Sequence, residues 1–280
     1  MGNTNLGIRP LTPHLGAVVE GIDLSEPLSS TQLDDIRRAF RDWSVLVFRD
    51  QRLERTHHKA FARHFGTLHV HPLKAAAGYE GGSDPEVLPV KTTATSKYTA
   101  GDGWHTDVTC DEEPPMGSML YITEVPPHGG GDTLFANMYR AFDSLSASLQ
   151  GYLETLTAVH DGARPYMGNY GYSPPAGVTF PKNEHPVVIR HPETDRKVLF
   201  VNSGFTTHIK GLKPAESRAL LDFLFGHIAT TPALTCRVAW QPNTLTFWDN
   251  RCTQHHAVWD YFPETRYGER VSIVGERPRA

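Results

Sequence analysis

The sequence predicts a mainly β fold with helical insertions, closed or double-sheeted, in a single domain spanning residues 1–280. Three observations predict it. Glycine (24) and proline (21) are plentiful and break the chain into short segments. The apolar runs between them have strand length and dominate the middle and the C-terminal half. Hydrophobic residues make up 39% of the 280, enough for a sizeable core, yet no apolar run reaches the roughly 18 residues that would mark a membrane span.

Taken in order, "AVVEGIDL" (17–24) and "SVLVFR" (44–49) read as strands. Between them "SSTQLDDIRRAF" opens on Ser/Thr caps and spaces Leu33, Ile36 and Phe40 on one helical face. A second helix over about 54–65 carries Phe61 and Phe65 and stops at Gly66. Its His57, His58 and His64 read as solvated. Residues 73–103 read as a long loop, of the kind that is often functional. "SMLYITEV" (118–125) is a strand and "HGGGDT" (128–133) a turn. Ser146 caps a helix with Leu149, Tyr152, Leu153 and Leu156 in register. A second Gly/Pro/Tyr-rich loop covers 162–184. "PVVIRHPETDRKVLFV" reads as a hairpin turning at 191–196, and "PAESRALLDFLFGHI" as a helix. "LTFWDN" and "RVSIVGE" read as strands near the C-terminal end.

Charge and cysteine usage narrow the class. A net charge of −4 without like-charge runs excludes a nucleic-acid or anionic-membrane surface. Three cysteines with no CxxC pair argue against a disulfide framework and for a reducing, cytoplasmic setting. The N-terminal stretch lacks the basic segment and apolar run of a signal peptide. Fifteen histidines are an excess and turn attention to metal or acid–base chemistry.

"WHTDVTC" (104–110) places His105 and Asp107 two apart among strand-favouring residues. In a strand they would share one face, with Trp104, Thr106 and Val108 on the other. A buried unpaired charge costs about 3–5 kcal/mol, so such a pair must find partners or ligate a metal. His-x-Asp alone is a weak motif, more often a polar strand face than a metal site. A third ligand is available in "FWDNRCTQHHAVWDY" (247–261), as His255 or His256. Two histidines and one carboxylate leave three coordination positions open, which suits non-haem Fe(II) oxygen chemistry. The pair His69 and His71 competes, as in a cupin-like zinc hydrolase or isomerase. A cupin-type site would want a glutamate shortly after, where Lys74 and Ala75 stand. His191 and Glu193 flank Pro192 and read as a surface turn. Cys110 and Cys252, each three residues from a candidate ligand, read as small buried packing residues.

Together, "WHTDVT", "GGDTLFANMYRAFDSLS", "HPVVIRHPETDRKVLFVNSGFTT" and "WDNRCTQHHAVWDY" with its two following arginines resemble the taurine dioxygenase family of Fe(II)/2-oxoglutarate-dependent oxygenases. The resemblance runs from about residue 8 to residue 278, with the motifs in the family's order. It implies a double-stranded β-helix (jelly roll), with His105, Asp107 and His255 as iron ligands. It further implies Arg266 and Thr133 as the grip on the distal carboxylate of 2-oxoglutarate. The implied reaction takes up O2, releases succinate and CO2, and hydroxylates a substrate C–H.

In the taurine enzymes an arginine and a histidine bind the sulfonate, and Arg270 and His71 match those positions. Phe205 matches a pocket aromatic. Gly101 stands where those enzymes have an asparagine beside the substrate amine, and Lys74 where they have a tyrosine. Losing a polar partner and gaining a cation disfavours an ammonium group. The expected partner is therefore a small anion: a sulfonate without an amine, an alkyl sulfate ester or a carboxylic acid. A biosynthetic or xenobiotic-degrading oxygenase acting on an unrelated acid is the alternative within the class. The oligomeric state, a homo-oligomer included, is open at this stage.

Overall fold

Alternation along the strands decides how the layers stack. The computed structural model describes residues 6–72, 84–174 and 176–280. A seven-stranded sheet runs in the order β1 (Gly7–Pro10), β2 (Ala17–Glu20), β3 (Val45–Phe48), β13 (Thr244–Asp249), β5 (Gly117–Glu124), β15 (Arg266–Ile273), β4 (Val87–Thr92). All its pairings are antiparallel except β2 with β3. Leu46, Phe48, Met119, Tyr121, Leu245 and Phe247 pack in one cluster, while their strand neighbours Val45, Val47, Leu120, Ile122 and Trp248 pack in another. A period of two thus gives this sheet two apolar faces.

The first face is covered by α1 (Ser30–Trp43) and α2 (Arg55–Arg63), whose Ile36, Phe40 and Phe61 join its cluster. The α1 start bears the expected serine cap, here completed as a capping box: the Ser29 hydroxyl accepts from Gln32 N, and Ser29 N donates to the Gln32 side chain at 2.9 Å. The second face meets a three-stranded antiparallel sheet of β12 (Thr235–Val238), β6 (Thr133–Asn137) and β14 (Thr253–Ala257). Phe135, Val238 and Trp240 from that side fill the space between the two sheets.

The remaining elements form a flank. They are α3 (Met138–Asp143), α4 (Ala147–Leu153), the sheet β11 (Thr206–Ile209), β7 (Thr157–Asp161), β8 (Lys182–Pro186), the hairpin β9 (Val188–Arg190) and β10 (Lys197–Leu199), and α5 (Pro214–Ala229). The hairpin and the three helices share one apolar cluster, in which Leu221, Leu224 and Ile228 of α5 are buried at helical spacing.

Several sequence expectations are corrected here. Residues 84–103 are not loop throughout, because β4 pairs with β15 along its length. The 162–184 stretch contains a π-helical turn (Arg164–Asn169) and the start of β8. "WHTDVTC" is not a strand. Only His105 forms a bridge, to His255, and a turn follows in which Val108 takes φ +51°. His58 is buried on α2 rather than solvated, and His191 is buried rather than in a surface turn.

Strand β15 positions the site. On the face toward α2, Tyr267 and Glu269 hydrogen-bond each other, and Glu269 pairs with Arg55. Arg266 and Arg270 lie on the opposite face and line a cavity of 610 Å³ between the two sheets.

Candidate metal and cosubstrate site

Three candidate ligands converge at one end of this cavity. His105 and His255 sit on adjacent backbones that exchange both hydrogen bonds, at 3.0 and 2.8 Å. Their ring centroids are 4.1 Å apart. Asp107 Oδ1 lies 3.7 Å from His105 Nε2 and 3.9 Å from His255 Nε2. All three donor atoms fall within 4.8 Å of one another. The same-face arrangement expected of a strand is reached through a turn instead, and its left-handed residue is a β-branched valine, an uncommon and strained conformation.

The surroundings prepare each donor. His105 Nδ1 is 2.9 Å from the Gly103 carbonyl oxygen, so that nitrogen carries the proton and Nε2 presents a lone pair to the cavity. Ser118 Oγ donates to Asp107 Oδ2 at 2.8 Å. The Asn250 amide grips the Asp107 backbone from both sides, accepting from its N–H at 2.8 Å and donating to its carbonyl at 2.9 Å. Burial opposes ionisation of Asp107, but the Arg270 guanidinium foremost, with the Ser118 hydrogen bond, holds the carboxyl well below its usual range. Burial likewise keeps His105 and His255 neutral, the form that can ligate. An ionised carboxylate and two neutral imidazoles, open toward a cavity, fit an iron ion of the facial-triad type.

Arg266 lines the same cavity. It is buried, and its Nε and Nη2 have no hydrogen-bond partner among the described residues. Burial lowers its affinity for its proton. An orphaned guanidinium fork in a cavity is a seat for a carboxylate. Thr133 lines the same cavity, at the end of the Gly129–Gly131 turn. Gly131 takes φ +70°, and a Cβ there would meet Arg266 Cδ at 2.8 Å, so glycine is what lets the turn close over the arginine.

The other predicted residues are brought to the same space. His71 and Phe205 are buried and line the cavity, with the Tyr166 hydroxyl 3.3 Å from His71 Nε2. Arg270 lines it too, and its Nη1 donates to Asp107 Oδ1 at 2.5 Å. Gly101 takes φ +84°; its N–H donates to the Tyr170 hydroxyl at 3.0 Å, and an added Cβ would stand 3.1 Å from His105 Cε1. Lys74 lies outside the described residues.

The competing clusters are otherwise engaged. His69 pairs with Asp111 at 2.8 Å, and neither it nor His71 belongs to a three-residue ligand group among the described residues. His256 pairs with Asp102 at 3.1 Å, leaving His255 to the triad. A second group, His191, Asp249 and Cys252, is already committed. His191 Nδ1 accepts from two backbone N–H groups and Nε2 faces Asp249, which also binds Arg251. Cys110 and Cys252 are buried, as expected of packing residues. Sequence reasoning did not single out Tyr166, Ser118, Asn250 or Trp240, whose roles come from partners far along the chain.

Comparison with known proteins agrees with this geometry. The sequence profile of the "Taurine catabolism dioxygenase TauD, TfdA family" matches residues 7–272. An alpha-ketoglutarate-dependent sulfonate dioxygenase of Saccharomyces cerevisiae is 34% identical over 98% of this chain and 68% of its own. An alpha-ketoglutarate-dependent 2,4-dichlorophenoxyacetate dioxygenase of Cupriavidus pinatubonensis is 35% identical, over 88% and 90%. The crystal structure of a taurine dioxygenase from Burkholderia xenovorans superposes with a TM-score of 0.82 at 35% identity, covering 98% of this chain and 92% of that one. These findings define the class, an oxidoreductase that uses Fe(II) and 2-oxoglutarate as a dioxygenase. The chain belongs to the taurine catabolism dioxygenase TauD, TfdA family.

Proposed function

We propose that His105, Asp107 and His255 hold the iron, that Arg266 and Thr133 hold the distal carboxylate of 2-oxoglutarate, and that Arg270 and His71 receive a small anionic substrate. The observation that carries the reading is a ready ligand triad and an unpaired, buried guanidinium in one cavity. We further propose that the two facing sheets are a double-stranded β-helix and that residues 1–280 form one dioxygenase domain. When bound, the iron and cosubstrate supply the oxidising power for C–H hydroxylation, with release of succinate and CO2. The chain's own part is to keep the triad open, orient the cosubstrate through Arg266, and present a substrate C–H in a water-poor cavity.

The substrate reading follows from what surrounds the anion site. Arg270 supplies a guanidinium and Phe205, Tyr166 and Tyr170 supply aromatic walls. The amide of Gly101 is occupied by Tyr170, and a side chain there would crowd His105. Nothing at that position recognises an ammonium, so sulfonates lacking an amine, alkyl sulfate esters and carboxylic acids are the proposed class. The relatives acting on a sulfonate and on 2,4-dichlorophenoxyacetate are in keeping with it.

The test is direct. Anaerobic addition of Fe(II) and 2-oxoglutarate gives a visible charge-transfer band, lost in His105→Ala and in His255→Ala. A panel of sulfonates, sulfate esters and acids, read by succinate release, then ranks substrates. A band that survives both substitutions refutes the ligand assignment, and taurine giving the highest kcat/KM refutes the substrate reading.

A further inference from the structure

Trp240 follows β12 and is buried between the two residues assigned above to the distal carboxylate of 2-oxoglutarate. Its Nε1–H donates to Thr133 Oγ1 at 3.0 Å. Its ring faces Arg266, with Cζ 5.3 Å from the ring centroid, inside the range of a cation–π contact. An indole N–H can only donate, whereas a threonine hydroxyl has one hydrogen and two acceptor sites. The indole therefore takes an acceptor site on Thr133 and leaves the hydroxyl hydrogen to point elsewhere. Among the described residues this hydroxyl makes no other hydrogen bond. Arg266 Nε and Nη2 are also without acceptors there. One side chain thus touches two sets of donors that have no acceptor among the described residues.

We propose that Trp240 is a positioning residue for the cosubstrate: its N–H fixes Thr133 as a donor while its ring face holds the Arg266 guanidinium, so that both converge on one carboxylate. The inference rests on the assignment of Thr133 and Arg266 to 2-oxoglutarate. Without the indole N–H, the Thr133 hydroxyl can turn its lone pairs toward the carboxylate, and a donor becomes a repulsive contact. Strand order explains why the arrangement holds. Val238, two residues before Trp240, is paired in register with Thr133, so the indole and the hydroxyl belong to neighbouring strands. The cavity-lining Arg266 arrives from the opposite sheet.

Trp240→Phe keeps an aromatic ring near Arg266 and removes the N–H together with part of the indole, so the Thr133→Val background is needed to isolate the hydrogen bond. Binding of 2-oxoglutarate to the anaerobic Fe(II) protein, followed by its charge-transfer band, should weaken about 3- to 10-fold. In turnover, the KM for 2-oxoglutarate should rise more than the KM for the anionic substrate. In a Thr133→Val background the same substitution should add little, because the bond it removes is already gone. An equal loss in both backgrounds overturns the proposal, as does an unchanged affinity. Arg266→Met separates the two levels of the argument. If it leaves 2-oxoglutarate affinity intact, the cosubstrate assignment itself fails. If it and Thr133→Val weaken binding and Trp240→Phe does not, only the role of Trp240 falls.

A measurement that keeps Trp240 in place covers the case in which Trp240→Phe does not fold. The chain has five tryptophans, so five indole N–H resonances report on them. The Trp240 resonance should move upfield and exchange faster in Thr133→Val, and gain protection when 2-oxoglutarate binds the wild-type protein. A Trp240 resonance that responds to neither overturns the proposal.

Discussion

Replacing Arg266 with methionine should move stability and cosubstrate affinity in opposite directions. In the structure Arg266 is 3% exposed, with Nε and Nη2 unpaired. Each unsatisfied buried donor costs about 1–3 kcal/mol. The Trp240 ring returns roughly 0.5–2 kcal/mol of this as a cation–π contact. Methionine fills much of the same volume and brings no charge, so the two unpaired donors less the ring contact should make the variant without 2-oxoglutarate more stable by up to about 5 kcal/mol, with a midpoint of roughly 3. That corresponds to a rise of several degrees in Tm, at about 2–4 °C per kcal/mol for a chain of this size class. Truncating one partner of a buried charge pair costs about 2–5 kcal/mol of binding, so 2-oxoglutarate affinity should fall from roughly 30-fold to several-thousand-fold. Thermal melts of the metal-loaded protein with and without 2-oxoglutarate read both quantities. Wild type at a hundred times its Kd should gain about 2.7 kcal/mol from the cosubstrate, and the variant almost none. A variant that melts well below wild type yet keeps the full 2-oxoglutarate shift would refute the view of Arg266 as a strained, waiting carboxylate site.

Three further outcomes are expected. His58 is fully buried, and desolvation lowers its pKa from 6.5 to about 4. The unfolded chain therefore takes up a proton below pH 6.5 that folded His58 refuses until about pH 4, so stability falls as pH drops through that window. From pH 7 to pH 5 the loss from this group is about 2 kcal/mol, seen as a lower urea midpoint and absent from His58→Leu; equal pH slopes would show that His58 is not the cause. Asn250→Ala removes the two-sided grip on the Asp107 backbone and should weaken metal binding about 10- to 100-fold in a Co(II) titration; wild-type affinity would mean that the turn holds itself. Gly101→Asn puts a Cβ 3.1 Å from His105 Cε1 at a backbone angle asparagine tolerates better than most residues. It should lower metal affinity without conferring activity on taurine, and gain of taurine turnover would reverse the substrate reading.

What the sequence made legible was mostly local. The Ser29 box, the α5 face and the β9–β10 hairpin are written in residues within a few positions of each other, and they fold as read. Strand β4 was hidden because "VLPVKT" carries a proline and a lysine and lies at the edge of its sheet, where both are tolerated. The turn after His105 was hidden because valine is among the last residues one would place at a positive φ. His58 and His191 were misread because burial depends on elements elsewhere: Tyr121 packs near the first, and Asp249, 58 residues on, binds the second. The candidate ligands were legible through the family's motifs, since His-x-Asp alone favoured a polar strand face over a metal site. The clamp by Asn250 and the Trp240–Thr133 bond join residues 143 and 107 apart, and no local pattern announces such pairs.

Strand β15 acts as a ruler. It carries Arg266 and Arg270, proposed above to hold the cosubstrate and the substrate, four residues apart on one face, which at the rise of an extended chain is roughly 13 Å. Arg266 is held in the ladder to β4, and Arg270 in the ladders to both β4 and β5. Side chains at either end can be exchanged to change which anion is gripped, but the spacing belongs to the backbone. With the two arginines in their proposed roles, substrates should be sorted first by length, by how far their reactive C–H lies from the anionic group, and only then by the chemistry of that group.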